Sequence, residues 1–173
     1  PRVVLDEVGN KYEEKLRKDS LIVNAFSRMA PSAGVPEITE PKLVELLDEY
    51  RRTLEFKLRQ AGATFLAYPD IAHEELVRRA LARKKPFAKD GRGYRDALIW
   101  ESVIRVAMDS NETVSFVTNN TKDFYDNEHI HPDLARDIRG RGLPDGAVVL
   151  LRSVDAFVDQ HIKPGMDVPA GVL

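Results

Sequence analysis

Gly91-Arg-Gly-Tyr-Arg-Asp-Ala-Leu-Ile-Trp-Glu-Ser-Val-Ile104 and, after a short polar break, Val114-Ser-Phe-Val-Thr-Asn-Asn-Thr-Lys-Asp-Phe124 form the stretch on which the fold turns. Ala97, Leu98, Trp100, Val103, Ile104, Ala107 and Met108 recur at helical spacing, so residues 94–109 read as an amphipathic helix. Asp96 stands in its first turn, where the positive end of the helix dipole favours a carboxylate. Residues 113–118 read as a strand that ends in Thr118, Asn119 and Asn120, with Asp123 three residues on. Carboxylates and amides are thereby delivered to a helix start and to the carboxyl end of a strand, the edge at which open α/β sheets bind ligands. Hard oxygen donors gathered there suit Mg²⁺ or Mn²⁺.

Working outward, the segment before this stretch is basic. Arg78 to Arg95 holds eight Lys/Arg against one acid, Asp90, for a net +7; the chain as a whole carries −2, so the remainder carries −9. That asymmetry fits a local anion-binding surface rather than a globally attractive one. The plainer alternative is a solvated helix face followed by a basic loop. Placed directly before Asp96, the block points to a polyanionic substrate, with Lys84, Lys85, Lys89, Arg92, Arg95 and Thr118 as its candidate contacts.

The rest of the chain reads as helices and strands in alternation. Residues 3–18 and 20–30 carry helical periodicity, with Gly9 a weak point worth about 1 kcal/mol against Ala. Thr39 and Pro41 mark a helix start, and Leu43, Leu46, Leu47, Tyr50, Leu54 and Leu58 carry that helix to about Gln60. Residues 63–67 read as a short strand, 72–83 as a helix, and 131–138 as a helix opened by His131 and Pro132. Residues 147–151 (Ala-Val-Val-Leu-Leu) read as a buried parallel strand, and Ser153 caps a helix through Ile162. Strands separated by helices predict a parallel sheet with helices on both faces. Three strands are few for that architecture, and a further strand is expected ahead of Pro1.

Composition narrows the class. The 173 residues fit one domain with a full core, and 43% hydrophobic with 31% charged residues is ordinary for a globular protein. No apolar run approaches the roughly 18 residues of a membrane span, and no signal-peptide pattern opens the chain. Zero cysteines exclude disulfides and thiolate chemistry within this sequence, and a cytoplasmic location is expected. His129 and His131 read as loop and helix-cap residues, and His73 and His161 are isolated. No Ser-His-Asp order, phosphate-binding Walker loop or dinucleotide fingerprint occurs. Asn and Thr often cap helices, so Thr118 to Asp123 could be capping chemistry alone.

The chain resembles the PIN-like domain family, in particular the bacterial DUF4935-type proteins. The resemblance rests on Pro1-Arg-Val-Val-Leu-Asp-Glu-Val, Lys85-Pro-Phe, Gly93-Tyr-Arg-Asp-Ala-Leu-Ile-Trp, Val117-Thr-Asn-Asn-Thr-Lys-Asp-Phe and Ser153-Val-Asp-Ala-Phe, in that order. It implies an α/β three-layer fold over residues 1–162, a parallel sheet flanked by helices, with a mobile tail or linker at 163–173. It implies a Mg²⁺- or Mn²⁺-dependent nuclease of toxin or defence type in which Glu7, Asp96 and Asp123 hold metal and Asn120 completes the catalytic cluster. RNA is expected ahead of DNA as the nucleic-acid partner, with an antitoxin or defence-system partner and a homodimer as further expectations, and no membrane. The family's first Asp, at the end of the first strand, has no match here, so the domain is expected to be N-terminally incomplete. The alternative reading is an inactive nucleic-acid-binding or interaction module. A third is a phosphohydrolase acting on a small phosphate ester.

Overall fold

A computed structural model describes residues 1–163, so the tail expected at 163–173 lies, but for Lys163, outside the described residues. The chain forms two compact units, Pro1–Ala67 and a second that starts at Tyr68.

The first unit is a helical hairpin. One continuous helix, α1 (Arg2–Met29), spans both stretches of helical periodicity, and α2 (Glu40–Gln60) returns after a connection that includes a tight turn at Pro31–Ala33. The helices run antiparallel, as the cross-links along their length require. Arg2 donates to Glu55 at 2.8 Å, Tyr12 stacks on Tyr50 at 3.7 Å between ring centroids, and Arg17 makes a forked pair with Glu40 at 2.8 and 2.9 Å. Near the turn, Asn24 both donates to Ile38 O and accepts from Ile38 N. Gly9 is buried, and a Cβ there would lie 3.1 Å from Arg51 Nε. Its helix-propensity cost thus accompanies a close approach by the partner helix.

The strand expected at residues 63–67 is absent: these residues form neither helix nor strand. Leu66 O accepts from Arg2 N, 2.8 Å away, at the start of α1, and Arg59 lies over the Phe65 ring. The backbone carbonyl that a ladder would use is spent on a helix N-terminus, whose first N–H groups lack intrahelical partners. An apolar run is not a strand without a neighbouring strand to pair with.

The second unit is α/β with a small sheet. Its elements are α3 (His73–Leu81), α4 (Tyr94–Ser110), β1 (Val114–Val117), α5 (Thr121–Phe124), β2 (Tyr125–Asp126), β3 (His129–Ile130), α6 (Pro132–Gly140), β4 (Val148–Leu151) and α7 (Val154–Phe157). A wider π-type turn, Val158–Ile162, prolongs α7. β1 and β4 pair in parallel, Val114 opposite Val148 through Val117 opposite Leu151, and Thr118 N extends the ladder to Leu151 O at 2.8 Å. Alternation along the strands sorts the faces. Val114, Phe116, Val148 and Leu150 join the core built by Trp100, Ile104 and Ala107 of α4 with Phe124, Leu134 and Ile138. Ser115 points the other way, and its Oγ lies 3.3 Å from His161 Nε2 in the turn after α7. Helices therefore cover both faces, as the sequence predicts.

The β2–β3 hairpin is not anticipated by the sequence reading. It is antiparallel, and Asn127 turns it with φ of 55°. Ser153 caps α7, accepting from Ala156 N, and His131 caps α6, accepting from Asp133 N, both as expected.

Candidate nucleic-acid interface

Three pieces of chain meet at the carboxyl end of β1: the basic loop after α3, the first turn of α4, and α5. The loop is fixed first. Arg79 Nη2 donates to Lys85 O at 3.0 Å, and Lys85 N donates to Asp133 Oδ2 at 3.0 Å. The backbone of Lys85 is thereby held on both sides. The Lys85–Pro86 peptide is cis, and Pro86 and Phe87 are buried. A tight turn follows, closed by Ala88 N to Arg92 O at 2.7 Å. Gly93 then caps α4 with φ of 122°, and a Cβ on it would lie 2.4 Å from Pro86 O. Only glycine permits that approach, which seats the start of α4 directly on the loop.

Asp96, half-buried in the first turn of α4, accepts from Asn120 Nδ2 at 3.1 Å. Asn120 occupies the N-cap position of α5 yet makes no side-chain cap bond there. Its amide reaches across 24 residues to Asp96 instead, which plain capping chemistry does not require. Thr118 serves the same turn, its Oγ1 accepting from Asn120 N at 3.2 Å. Asp123, on α5, is 16% exposed and pairs with Lys85 Nζ at 3.0 Å; the same ammonium donates to Lys122 O at 2.8 Å.

A cleft of about 410 Å³ opens here, lined among others by Arg92, Tyr94, Arg95, Asp96, Lys122 and Asp123. It gathers Asp96, Asp123, Arg92 and Arg95 of the residues singled out from sequence. Tyr94 and Lys122 were not assigned a role there, although both sit inside the quoted motifs. Tyr94 is 49% exposed. Lys84 and Lys89 are exposed on the preceding loop, outside the residues that line the cleft. Glu7 belongs to the first unit, on α1, 3.5 Å from Lys11 Nζ. Trp100 lies wholly in the core.

The charge of the basic block is partly spent. Arg92 donates to Asp90 at 2.7 Å, and that bond holds the exposed Asp90 carboxyl below its usual range while raising the guanidinium. Arg79 is buried, and burial, the largest influence, works to lower its pKa; the bond to Asp137 at 2.5 Å and the charges of Asp137, Glu101 and Glu75 together leave it raised. Asp137 also accepts from Trp100 Nε1 at 3.0 Å, so one carboxylate ties α3, α4 and α6 together behind the cleft.

A family model for the PIN domain matches residues 1–124. The chain belongs to the PIN domain family. No curated protein and no solved structure matches it. The PIN match crosses the boundary between the two units and takes in Glu7, Asp96, Asn120 and Asp123. PIN domains imply a nuclease-type fold, interaction with nucleic acid and the use of divalent metal.

Among the described residues, no three His, Cys, Asp or Glu side chains gather as a metal-binding group. The cleft nevertheless has the donor chemistry of a hard divalent ion. Asp96 and Asp123 are carboxylates that both line the cleft, and Mg²⁺ is commonly held by one or two carboxylates with water and substrate phosphate completing its shell. Among the described residues no helix is long and apolar enough to cross a membrane.

Proposed function

We propose that this PIN domain is a Mg²⁺- or Mn²⁺-dependent endonuclease that hydrolyses phosphodiester bonds of RNA or single-stranded DNA, of toxin or defence type. The observation that carries the reading is one cleft lined by Asp96 and Asp123 together with Arg92, Arg95 and Lys122. Acids alone would repel a polyanion, and bases alone would bind it without chemistry. The juxtaposition serves both needs.

In this reading Asp96 and Asp123 hold the cation, and the Asn120 amide fixes the orientation of Asp96. When bound, the ion would stabilise charge on the phosphoryl oxygens and make water more acidic. Arg92, Arg95 and Lys122 take the phosphates along the strand, and Lys84 and Lys89 extend that contact on the loop, all without reading sequence. Thr118 positions the Asn120 turn. Tyr94 offers an aromatic face to a base, which favours unpaired nucleic acid. Glu7 is proposed as a further metal-holding acid on the family resemblance alone. The DUF4935-type branch, a nuclease domain running from 1 to 162, cytoplasmic location, homodimer formation and an antitoxin or defence-system partner belong to the same proposal.

The test is cleavage of labelled single-stranded RNA and DNA with and without Mn²⁺, beside Asp96→Asn. Metal-dependent cutting that falls more than about 100-fold in the variant, with folding intact, is the expected result. Glu7→Gln is a separate arm that tests the resemblance at that position. Folded protein that binds the strands but does not cut them would establish the inactive binding module instead. Turnover of p-nitrophenyl phosphate without cutting of polymer would establish the small-ester reading.

A further inference from the structure

The mechanism above leaves Lys85 unused, although its ammonium is paired with a carboxylate of the cleft. Its Nζ lies 3.0 Å from Asp123 Oδ1 and 2.8 Å from Lys122 O. Lys85 is 21% and Asp123 16% exposed at the side chain, so this pair is largely withdrawn from water. Exposed lysines sample many rotamers, but this one is pinned at the root, its N–H held by Asp133 and its carbonyl by Arg79. The geometry turns Lys85 inward, onto protein acceptors, rather than out toward a strand of nucleic acid.

We infer that Lys85 is an internal counter-charge that holds the place beside Asp123 otherwise taken by the divalent cation, so that ammonium and metal compete for one carboxylate. This rests on the metal-dependent reading and deepens it. A carboxylate withdrawn from water is costly to leave unpaired, and Lys85 removes that cost when no metal is bound. The same ion pair must be broken, or shared, for a divalent ion to bind Asp123. Lys85 therefore lowers metal affinity while keeping the empty cleft stable. A phosphate-contact role predicts the opposite: removal of Lys85 would leave metal binding untouched.

Isothermal titration of the whole chain with Mn²⁺ alone tests this. Lys85→Met is expected to bind Mn²⁺ about tenfold more tightly than the natural protein, Lys85→Arg about equally, and Asp123→Asn far more weakly. A folded Lys85→Met protein whose Mn²⁺ affinity is unchanged or reduced, while the natural protein binds, overturns this inference alone. Absence of Mn²⁺ binding in both overturns it together with the metal-dependent reading. Should Lys85→Met fail to fold, ¹⁵N resonances of the lysine ammonium groups in the natural protein decide. The Lys85 signal is expected to move on saturation with Mg²⁺, and a signal that stays in place sinks the proposal.

Discussion

At Gly93, chain geometry and function are joined. Its φ of 122° is a conformation that residues with a Cβ rarely adopt, and the backbone of Pro86 leaves no room for one. Gly91 also has positive φ, 81°, but a Cβ there would meet nothing within 4 Å. The two glycines of one motif therefore differ in cost. Gly93→Ala has to strain its own backbone and displace Pro86 O, and is expected to destabilise the second unit by about 2–4 kcal/mol in urea unfolding. Gly91→Ala carries the conformational strain alone and should cost about 1 kcal/mol. Equal effects would show that the contact with Pro86 does not constrain the loop. Sequence alone marks both positions as turn glycines; only the fold brings Pro86 against one of them.

Elements are held in register behind the cleft by Asp137. It stands on α6, accepts from Arg79 of α3 at 2.5 Å and from Trp100 of α4 at 3.0 Å, and has no counterpart in the motif reading. Glu101 assists, 3.9 Å from Arg79 and 2.9 Å from Arg141. Asp137→Ala leaves a buried guanidinium without its main partner, so a loss of about 3–5 kcal/mol is expected in chemical unfolding. Arg79→Met combined with Asp137→Leu removes both charges, and most of that loss should return. A double variant as unstable as the single one would show that the bond to Trp100, not the ion pair, carries the effect. The helices themselves were legible because their apolar residues repeat every three or four positions, and β1 and β4 because their runs are apolar and bounded by turns. Residues 63–67 misled because strand propensity says nothing about whether a partner strand is present. The β2–β3 hairpin escaped because two residues per strand leave no period to read. At the site, Asp96, Asn120 and Asp123 were legible as residue types at element ends. The bond from Asn120 to Asp96 and the pair between Lys85 and Asp123 were not, since each spans more than twenty residues.

Over the whole molecule, charge decides how nucleic acid would be held. A net charge of −2 gives no long-range pull on a polyanion, so binding has to come from the local block. Counted from sequence, the block offers eight cations. Four of them stand in ion pairs: Arg78 with Glu75, Arg79 with Asp137, Lys85 with Asp123 and Arg92 with Asp90. Arg83, Lys84 and Lys89 are exposed, and Arg95 lines the cleft. Counterion release makes the two counts distinguishable. For single strands the slope of log Kobs against log salt is about −0.7 per phosphate neutralised, which gives about −3.5 for the five contacts proposed above, Lys84, Lys89, Arg92, Arg95 and Lys122, and about −6 for all eight cations of the block. Fluorescence anisotropy with a short labelled oligonucleotide in metal-free buffer measures that slope. About −3.5 is expected, shrinking by less than one unit in Lys84→Ala or Lys89→Ala and remaining unchanged in Arg79→Met. A slope near −6 would mean that nucleic acid also draws on Arg79 and Lys85, and that their largely buried pairs with Asp137 and Asp123 open on binding.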